Sequence, residues 1–176
     1  LKVRFATGGN PDGPTVLFLS PLPQSILCFE PTWSALCASA NLVALDLPGF
    51  GQSEGGLSYM NFAAQSAFLQ KFINKLGLSD IHIVAPDVGM PVALHYVLHR
   101  EHRAKSILVG AGPSVQPSAD GSLVRKMIAS RFWRFVFTVT GAPAFVAGAN
   151  QLGYLSYSPS ASEVADYVAS YSGRVG

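Results

Sequence analysis

Short runs of apolar, β-prone residues recur along the first part of the chain, and turn residues bound each of them. Four such runs, at residues 15–19, 42–45, 81–85 and 106–109, are predicted to be buried strands. A dense cluster of glycine, asparagine and proline at residues 8–14 precedes the first run. This cluster predicts a hairpin that leads into the first buried strand.

Helical patterns separate the strand-like runs. Residues 59–76 carry apolar side chains at helical spacing up to Gly77, and residues 32–39 and 88–98 also suit helices. Strand and helix therefore alternate through residues 1–112. This alternation predicts an α/β domain whose mostly parallel sheet has helices on both faces.

The alternation stops after Pro113. Residues 121–140 predict an aromatic-rich helix, and residues 160–171 predict another, with capping-box spacing at its start. The stretch 135–162 has no charged residue, but glycines and prolines interrupt it. We predict that this stretch is buried or faces a pocket and does not span a membrane. The predicted division is a core at residues 1–112 and a helical segment at 113–176.

Composition narrows the class of partner. The chain is 49% hydrophobic and 12% charged, with a net charge of +2, and its basic residues are mostly scattered. Neither nucleic acid nor a membrane is therefore predicted as a partner. Two cysteines suit neither a disulfide framework nor a zinc site, which favours a reduced, cytoplasmic protein. Gly49-Phe50-Gly51 lacks the third glycine of a dinucleotide fingerprint, so no cofactor or metal is expected.

The segment with the most chemical information is residues 81–91. A strand-like run ends at Asp87, small residues stand two positions away on either side, and a helical pattern follows. This is the pattern of a nucleophile elbow, in which a tight turn exposes one side chain at the edge of the sheet. An aspartate placed there can attack carbon and form an ester. The alternative is that Asp87 only caps the helix.

Two motifs resemble those of the α/β-hydrolase superfamily. Residues 46–54 (DLPGFGQSE) resemble the loop after its fourth strand. Residues 85–89 (APDVG) resemble the elbow of the branch that contains epoxide hydrolases and haloalkane dehalogenases, which use an aspartate nucleophile. The resemblance implies an α/β-hydrolase fold that is incomplete at the C-terminus. It also implies an oxyanion hole from the N–H groups of Leu22 and Val88, with the catalytic acid and histidine beyond Gly176.

By the same resemblance, residues 113–176 are the start of a helical cap over the active site. In epoxide hydrolases, cap tyrosines donate hydrogen bonds to the epoxide oxygen, and Tyr154 and Tyr157 are the predicted phenols here. Trp133 is a further predicted substrate contact. Val88 stands where related dehalogenases carry a tryptophan that holds the halide. The predicted substrate is therefore a small or medium apolar epoxide.

Alternative functions stay open. Asp87 could act as a base in a hydrolase or lyase without a covalent intermediate, or the chain could be a non-catalytic relative that binds an apolar ligand. The four histidines are predicted to be structural or solvent-facing; they are His82, His95, His99 and His102. A chain ending at Gly176 would also expose a sheet edge unless another chain covers it, for which a homodimer is one solution.

Overall fold

The computed structural model describes residues 1–112, 129–154 and 156–172, and within them five strands form one sheet. The strands are β1 (Phe5–Gly9), β2 (Thr15–Leu19), β3 (Asn41–Leu45), β4 (Ile81–Pro86) and β5 (Ala104–Gly110). Their spatial order is β1-β3-β2-β4-β5; β1 is antiparallel to β3 and the other pairs are parallel. The prediction of a mostly parallel sheet is confirmed.

The predicted hairpin at residues 8–14 is wrong. β1 pairs with β3, so that Phe5 lies opposite Leu45. β2 instead has parallel partners on both sides, β3 and β4. Because β3 and β4 occupy both edges of β2, β1 cannot pair with β2. After β1, the chain therefore passes over β3 to reach β2 instead of forming a β1–β2 hairpin.

Three helices of this part of the chain cover the two faces of the sheet; they are α1 (Glu30–Leu36), α2 (Phe62–Lys75) and α3 (Gly89–His99). Side chains of α2 and α3 pack in one cluster with strand residues such as Leu17 and Ile83. On the other face, Trp33 of α1 packs with Phe18. Each fully buried leucine or isoleucine in these clusters contributes about 1.5–3 kcal/mol. The predicted covering of both faces is confirmed.

Contacts divide the chain into two compact units, Leu1–Gly112 and Pro113–Gly176. The second contains α4 (Arg131–Gly153), which is broken at Gly141 (φ 67°), and α5 (Ala161–Tyr171). The predicted capping box of α5 is confirmed. The N–H of Glu163 donates to Ser160 Oγ (3.3 Å), and the N–H of Ser160 donates to Glu163 Oε2 (2.7 Å). The interpretation of this unit as a cap stays a prediction.

The uncharged stretch 135–162 is only partly buried. Val146 is fully buried, but the side chains of Phe135 and Val139 are 66% and 69% exposed. The start of the stretch is therefore not buried, because the absence of charge permits burial without requiring it. That it faces a pocket stays a prediction. The first part of the predicted helix at 121–140 lies outside the described residues. The side chain of Trp133 is also outside the part of the chain that the structure describes. No described helix is long and apolar enough to cross a membrane.

Candidate active site

Asp87 lies in a sharp turn between β4 and α3. Its φ is +48°, a left-handed value that costs a residue other than glycine about 1–2 kcal/mol. The N–H of Asp87 donates to the carbonyl of Gly110 (2.9 Å), and the Asp87 carbonyl accepts from the N–H of Met90 (3.0 Å). The helix begins at Gly89 with Val88 as its N-cap, which makes no side-chain cap bond. The alternative in which Asp87 only caps the helix stays open, because Asp87 directly precedes this cap residue.

The turn requires small neighbours. A Cβ on Gly89 would lie 3.1 Å from Leu19 Cβ and 3.3 Å from Ala85 Cβ. A larger residue at position 89 would therefore push α3 away from the end of β2. The small residues around Asp87 let β4 turn directly into the helix at this edge of the sheet.

The loop after β2 reaches the same point. The N–H of Leu22 donates to Asp87 Oδ2 at 2.7 Å. The N–H of Val88 also donates to the carboxylate. The structure thus brings together the three residues that the sequence placed at the reaction centre, with two backbone donors on one carboxylate.

Burial controls the charge of this carboxylate. Asp87 is half-buried, and desolvation raises its pKa above the usual value for aspartate, while the N–H groups of Leu22 and Val88 act in the opposite direction. Desolvation is the largest of these effects. A carboxylate with a raised pKa is a stronger nucleophile and base than an ordinary aspartate.

Gly112, which follows β5, packs directly against the elbow. A Cβ at this position would collide with the Asp87 carbonyl oxygen and lie 2.7 Å from Met90 Cβ. We expect Gly112→Ala to lower the free energy of unfolding by about 1–3 kcal/mol, measured by urea denaturation, because backbone must move to admit the methyl group.

Gly110→Ala is the matched control, since a Cβ on Gly110 meets nothing within 4 Å. It should change the free energy of unfolding by less than about 0.5 kcal/mol. Equal effects of the two substitutions would show that the contact between Gly112 and Asp87 does not hold the elbow.

Comparison with known proteins identifies the family to which this chain belongs. A family model described as the alpha/beta hydrolase fold matches residues 14–140. The chain belongs to the α/β-hydrolase fold family. The resemblance to its dehalogenase- and epoxide-hydrolase-like branch is likewise confirmed.

Curated relatives of this α/β-hydrolase include a haloalkane dehalogenase of Bradyrhizobium diazoefficiens, 33% identical over 99 residues, which covers 56% of this chain and 32% of the relative. Another is a dihydrolipoyllysine-residue acetyltransferase component of an acetoin cleaving system from Cupriavidus necator, 29% identical over 119 residues, covering 65% of this chain and 32% of the relative. The chain thus spans about a third of the length of both relatives.

Solved structures show the same fold over almost the whole chain. Cfl2 from Burkholderia cenocepacia matches with a TM-score of 0.80 and 19% identity, covering 95% of this chain and 61% of that one. The haloalkane dehalogenase DbeA from Bradyrhizobium elkani matches with a TM-score of 0.76 and 23% identity, covering 94% and 58%. At these identities the likeness shows the fold and not the reaction.

A second carboxylate at this edge of the hydrolase sheet, Asp46, serves structure instead of chemistry. It follows β3 and is fully buried. Its oxygens accept hydrogen bonds from Arg4 Nε (2.7 Å), the Ile26 N–H (2.9 Å) and the Gln52 N–H (3.0 Å). Gly51 lies against the same carboxylate. Asp46 therefore fixes its own loop and the segment after Leu22, a role that the sequence motif did not reveal.

The described hydrogen bonds of the histidines lead away from Asp87. His82 Nδ1 lies 2.8 Å from Ser106 Oγ, and His95 Nδ1 lies 2.8 Å from Ser66 Oγ. Burial, followed by repulsion from the neighbouring His99 and Arg100, lowers the pKa of His95. The histidine of the catalytic set stays a prediction from the resemblance.

The predicted cap tyrosines lie in the second unit. The Tyr157 hydroxyl is 2.9 Å from both carboxylate oxygens of Glu163, and the rings of Tyr154 and Tyr157 are 5.3 Å apart. Burial raises the pKa of Glu163, but hydrogen bonds from Ser160, Tyr157 and Tyr167 together lower it. The phenolic proton of Tyr157 is thus directed at Glu163 in this structure. Contact of either tyrosine with a substrate stays a prediction.

Among the residues that the structure describes, a cavity of about 300 Å³ lies within the first unit. It is lined by Ala6, Ile26, Leu27, Glu30, Trp33, Ser34 and Ala44. Asp87 and Leu22 do not line this cavity, so it does not mark the candidate active site. The candidate active site is instead the turn that contains Asp87, together with the N–H groups of Leu22 and Val88.

Proposed function

We propose that this chain supplies the nucleophile of a hydrolase that opens a small or medium apolar epoxide. The observation that carries the proposal is the strained elbow, which presents Asp87 with Oδ2 held by the Leu22 N–H. An oxygen that accepts a strong hydrogen bond is the poorer nucleophile of the two. Oδ1 is therefore assigned to the attack.

The reaction has two steps. Oδ1 of Asp87 forms a bond to a ring carbon of the epoxide, the ring C–O bond breaks, and the alkoxide takes a proton from a general acid. Water then adds to Cγ of the resulting ester with loss of a proton to a base. The oxyanion forms on Oδ2, the oxygen that the Leu22 N–H contacts, and the N–H of Val88 is the second donor that the resemblance implies. Collapse of this intermediate releases the diol, and one water oxygen stays in the carboxylate.

The side chains beside the carboxylate favour an epoxide. A departing halide needs hydrogen-bond donors, but Leu22 and Val88 carry apolar side chains and direct their N–H groups at Asp87. The oxygen of an epoxide stays attached to the substrate after ring opening and needs only a proton. This difference supports epoxide opening over halide displacement.

The covalent route predicts where the product oxygen comes from. In a single turnover of an aryl epoxide in ¹⁸O-water, with enzyme in excess, the diol should carry no ¹⁸O, because its new hydroxyl oxygen comes from Asp87. The peptide that contains Asp87 should gain one ¹⁸O, detected by mass spectrometry. Full labelling of the diol in the first turnover would instead make Asp87 a base that activates water.

Haloalkane hydrolysis is the second candidate, because haloalkane dehalogenases are among the curated relatives. It uses the same attack by Asp87 and releases halide. Parallel assays with a bromoalkane and an epoxide of similar size distinguish the two, since the proposal requires faster turnover of the epoxide. Binding of apolar ligands without turnover of either substrate would support the non-catalytic alternative.

A further inference from the structure

Ser66 on α2 contacts one ring nitrogen of His95. Ser66 Oγ lies 3.0 Å from the carbonyl oxygen of Ala63, an acceptor, and Arg100 Nε donates to Ser66 Oγ at 3.2 Å. His95 Nδ1 lies 2.8 Å from the same Oγ, and the direction of this bond depends on the His95 tautomer. In the tautomer with the proton on Nδ1, this nitrogen donates to Ser66 and the lone pair of the neutral ring is on Nε2.

A second imidazole lies beside that ring. His99 is one helical turn further along α3, and the ring centres of His95 and His99 are 4.5 Å apart. Two imidazoles that bind one ion through nitrogens at about 2.0–2.1 Å have ring centres roughly 4.5–5 Å apart. His99 is exposed, so an ion can reach the pair from solvent. Histidines at positions i and i+4 share one face of a helix, as in known zinc sites.

We propose that His95 and His99 bind a first-row transition metal ion such as Zn²⁺. Ser66 acts as the positioning residue, because a hydrogen bond to the second ring nitrogen is what orients a histidine ligand. Within the described residues, no group of three or more histidine, cysteine, aspartate or glutamate side chains is placed to hold a metal ion, so the proposal requires water as the remaining ligands. Imidazole suits zinc, copper and nickel, and the oxygen-preferring Mg²⁺ and Ca²⁺ are excluded.

This site is separate from the proposed chemistry. His95 lies eight residues beyond Asp87, which corresponds to roughly 12 Å along a helix. An ion that bridges His95 and His99 ties together the last turns of the helix that begins at the elbow. We infer that the ion stabilises α3 and takes no part in substrate turnover.

Calorimetric titration of the intact, untagged protein with Zn²⁺ tests the site. We expect saturable binding to wild type that His95→Gln and His99→Gln each weaken by about tenfold or more, and that Ser66→Ala weakens by about tenfold. His102→Gln, on the segment after α3, is the matched control and should leave the affinity within about twofold of wild type.

Thermal unfolding gives a second readout. Zn²⁺ should raise the Tm of wild type and of the His102→Gln variant, because binding to the folded state alone stabilises it, and should raise the Tm of the His99→Gln variant much less. Far-UV circular dichroism confirms that each variant is folded. No binding to wild type, or equal affinities of wild type and the two ligand variants, would overturn the proposal.

Discussion

Asp87→Asn should abolish epoxide opening, with kcat lower by about 10⁴-fold or more, as for loss of a nucleophile in other enzymes. The amide oxygen of asparagine is too weak a nucleophile to form the ester. Asparagine suits this position otherwise, because it tolerates the left-handed φ of +48° and keeps an acceptor for the Leu22 N–H. Steady-state assay of an aryl epoxide measures the loss.

Asp80→Asn is the matched control for that substitution. Asp80 is also an aspartate with a positive φ (53°), but it is exposed and faces Lys105 Nζ at 3.6 Å. Its replacement should leave kcat within about twofold of wild type, as expected for a surface site. Retention of a substantial part of the activity by the Asp87→Asn variant would exclude Asp87 as the attacking group.

The raised pKa of Asp87 gives the same substitution a second effect. Because the folded protein binds this proton more tightly than the unfolded chain, the ionised carboxylate costs stability. The cost is fully present above the folded pKa and disappears below the unfolded value of about 3.9. Asp87→Asn should therefore raise stability at neutral pH, and the gain should shrink as the pH falls. In the pH profile of kcat, activity should likewise fall on the acid side at a higher pH than the pKa of an ordinary aspartate would give.

Asp46→Ala should lower the free energy of unfolding by about 3–5 kcal/mol, because it removes the fully buried partner of the ion pair with Arg4, whose side chain is 25% exposed, and two further hydrogen bonds. Arg4 Nε would lose its carboxylate, and the N–H groups of Ile26 and Gln52 would lose their acceptors. The loop at residues 46–54 and the segment after Leu22 would then no longer be tied together. Urea denaturation at neutral pH measures the change.

Asp80→Ala is the control for this change. It removes an exposed ion pair, with side chains of Lys105 and Asp80 that are 58% and 72% exposed. Such pairs contribute about 1 kcal/mol or less, since water and salt screen them. An Asp46→Ala variant as stable as the Asp80→Ala variant would show that the buried hydrogen bonds do not hold the loops.

Features that depend on a few neighbouring residues were predictable from the sequence. The spacing of Ser160 and Glu163 predicted the capping box, which the structure confirms. The strand, small residues and helical pattern around Asp87 predicted the elbow, where the structure has a left-handed turn. In both cases the signal is local, because turn chemistry and helix capping act within one or two turns of backbone.

Pairing between distant segments was less predictable. The turn residues at 8–14 predicted a hairpin, but β1 crosses to β3, since a hairpin signal contains no information on which edge of the sheet is vacant. The uncharged stretch at 135–162 predicted burial or a pocket-facing position; Val146 is buried, whereas Phe135 and Val139 are exposed. The absence of charged residues shows that burying the segment would cost little, but it does not show which other segment packs against it.

Local patterns of residues were enough to predict the fold class, the turn that contains Asp87 and the two family motifs at 46–54 and 85–89. The groups that surround the Asp87 and Asp46 carboxylates are brought there by the fold. Leu22 lies 65 positions from Asp87, Arg4 lies 42 positions from Asp46, and Ser66 lies 29 positions from His95. Contacts at such separations follow from strand order, register and helix packing, which no local pattern of residues encodes.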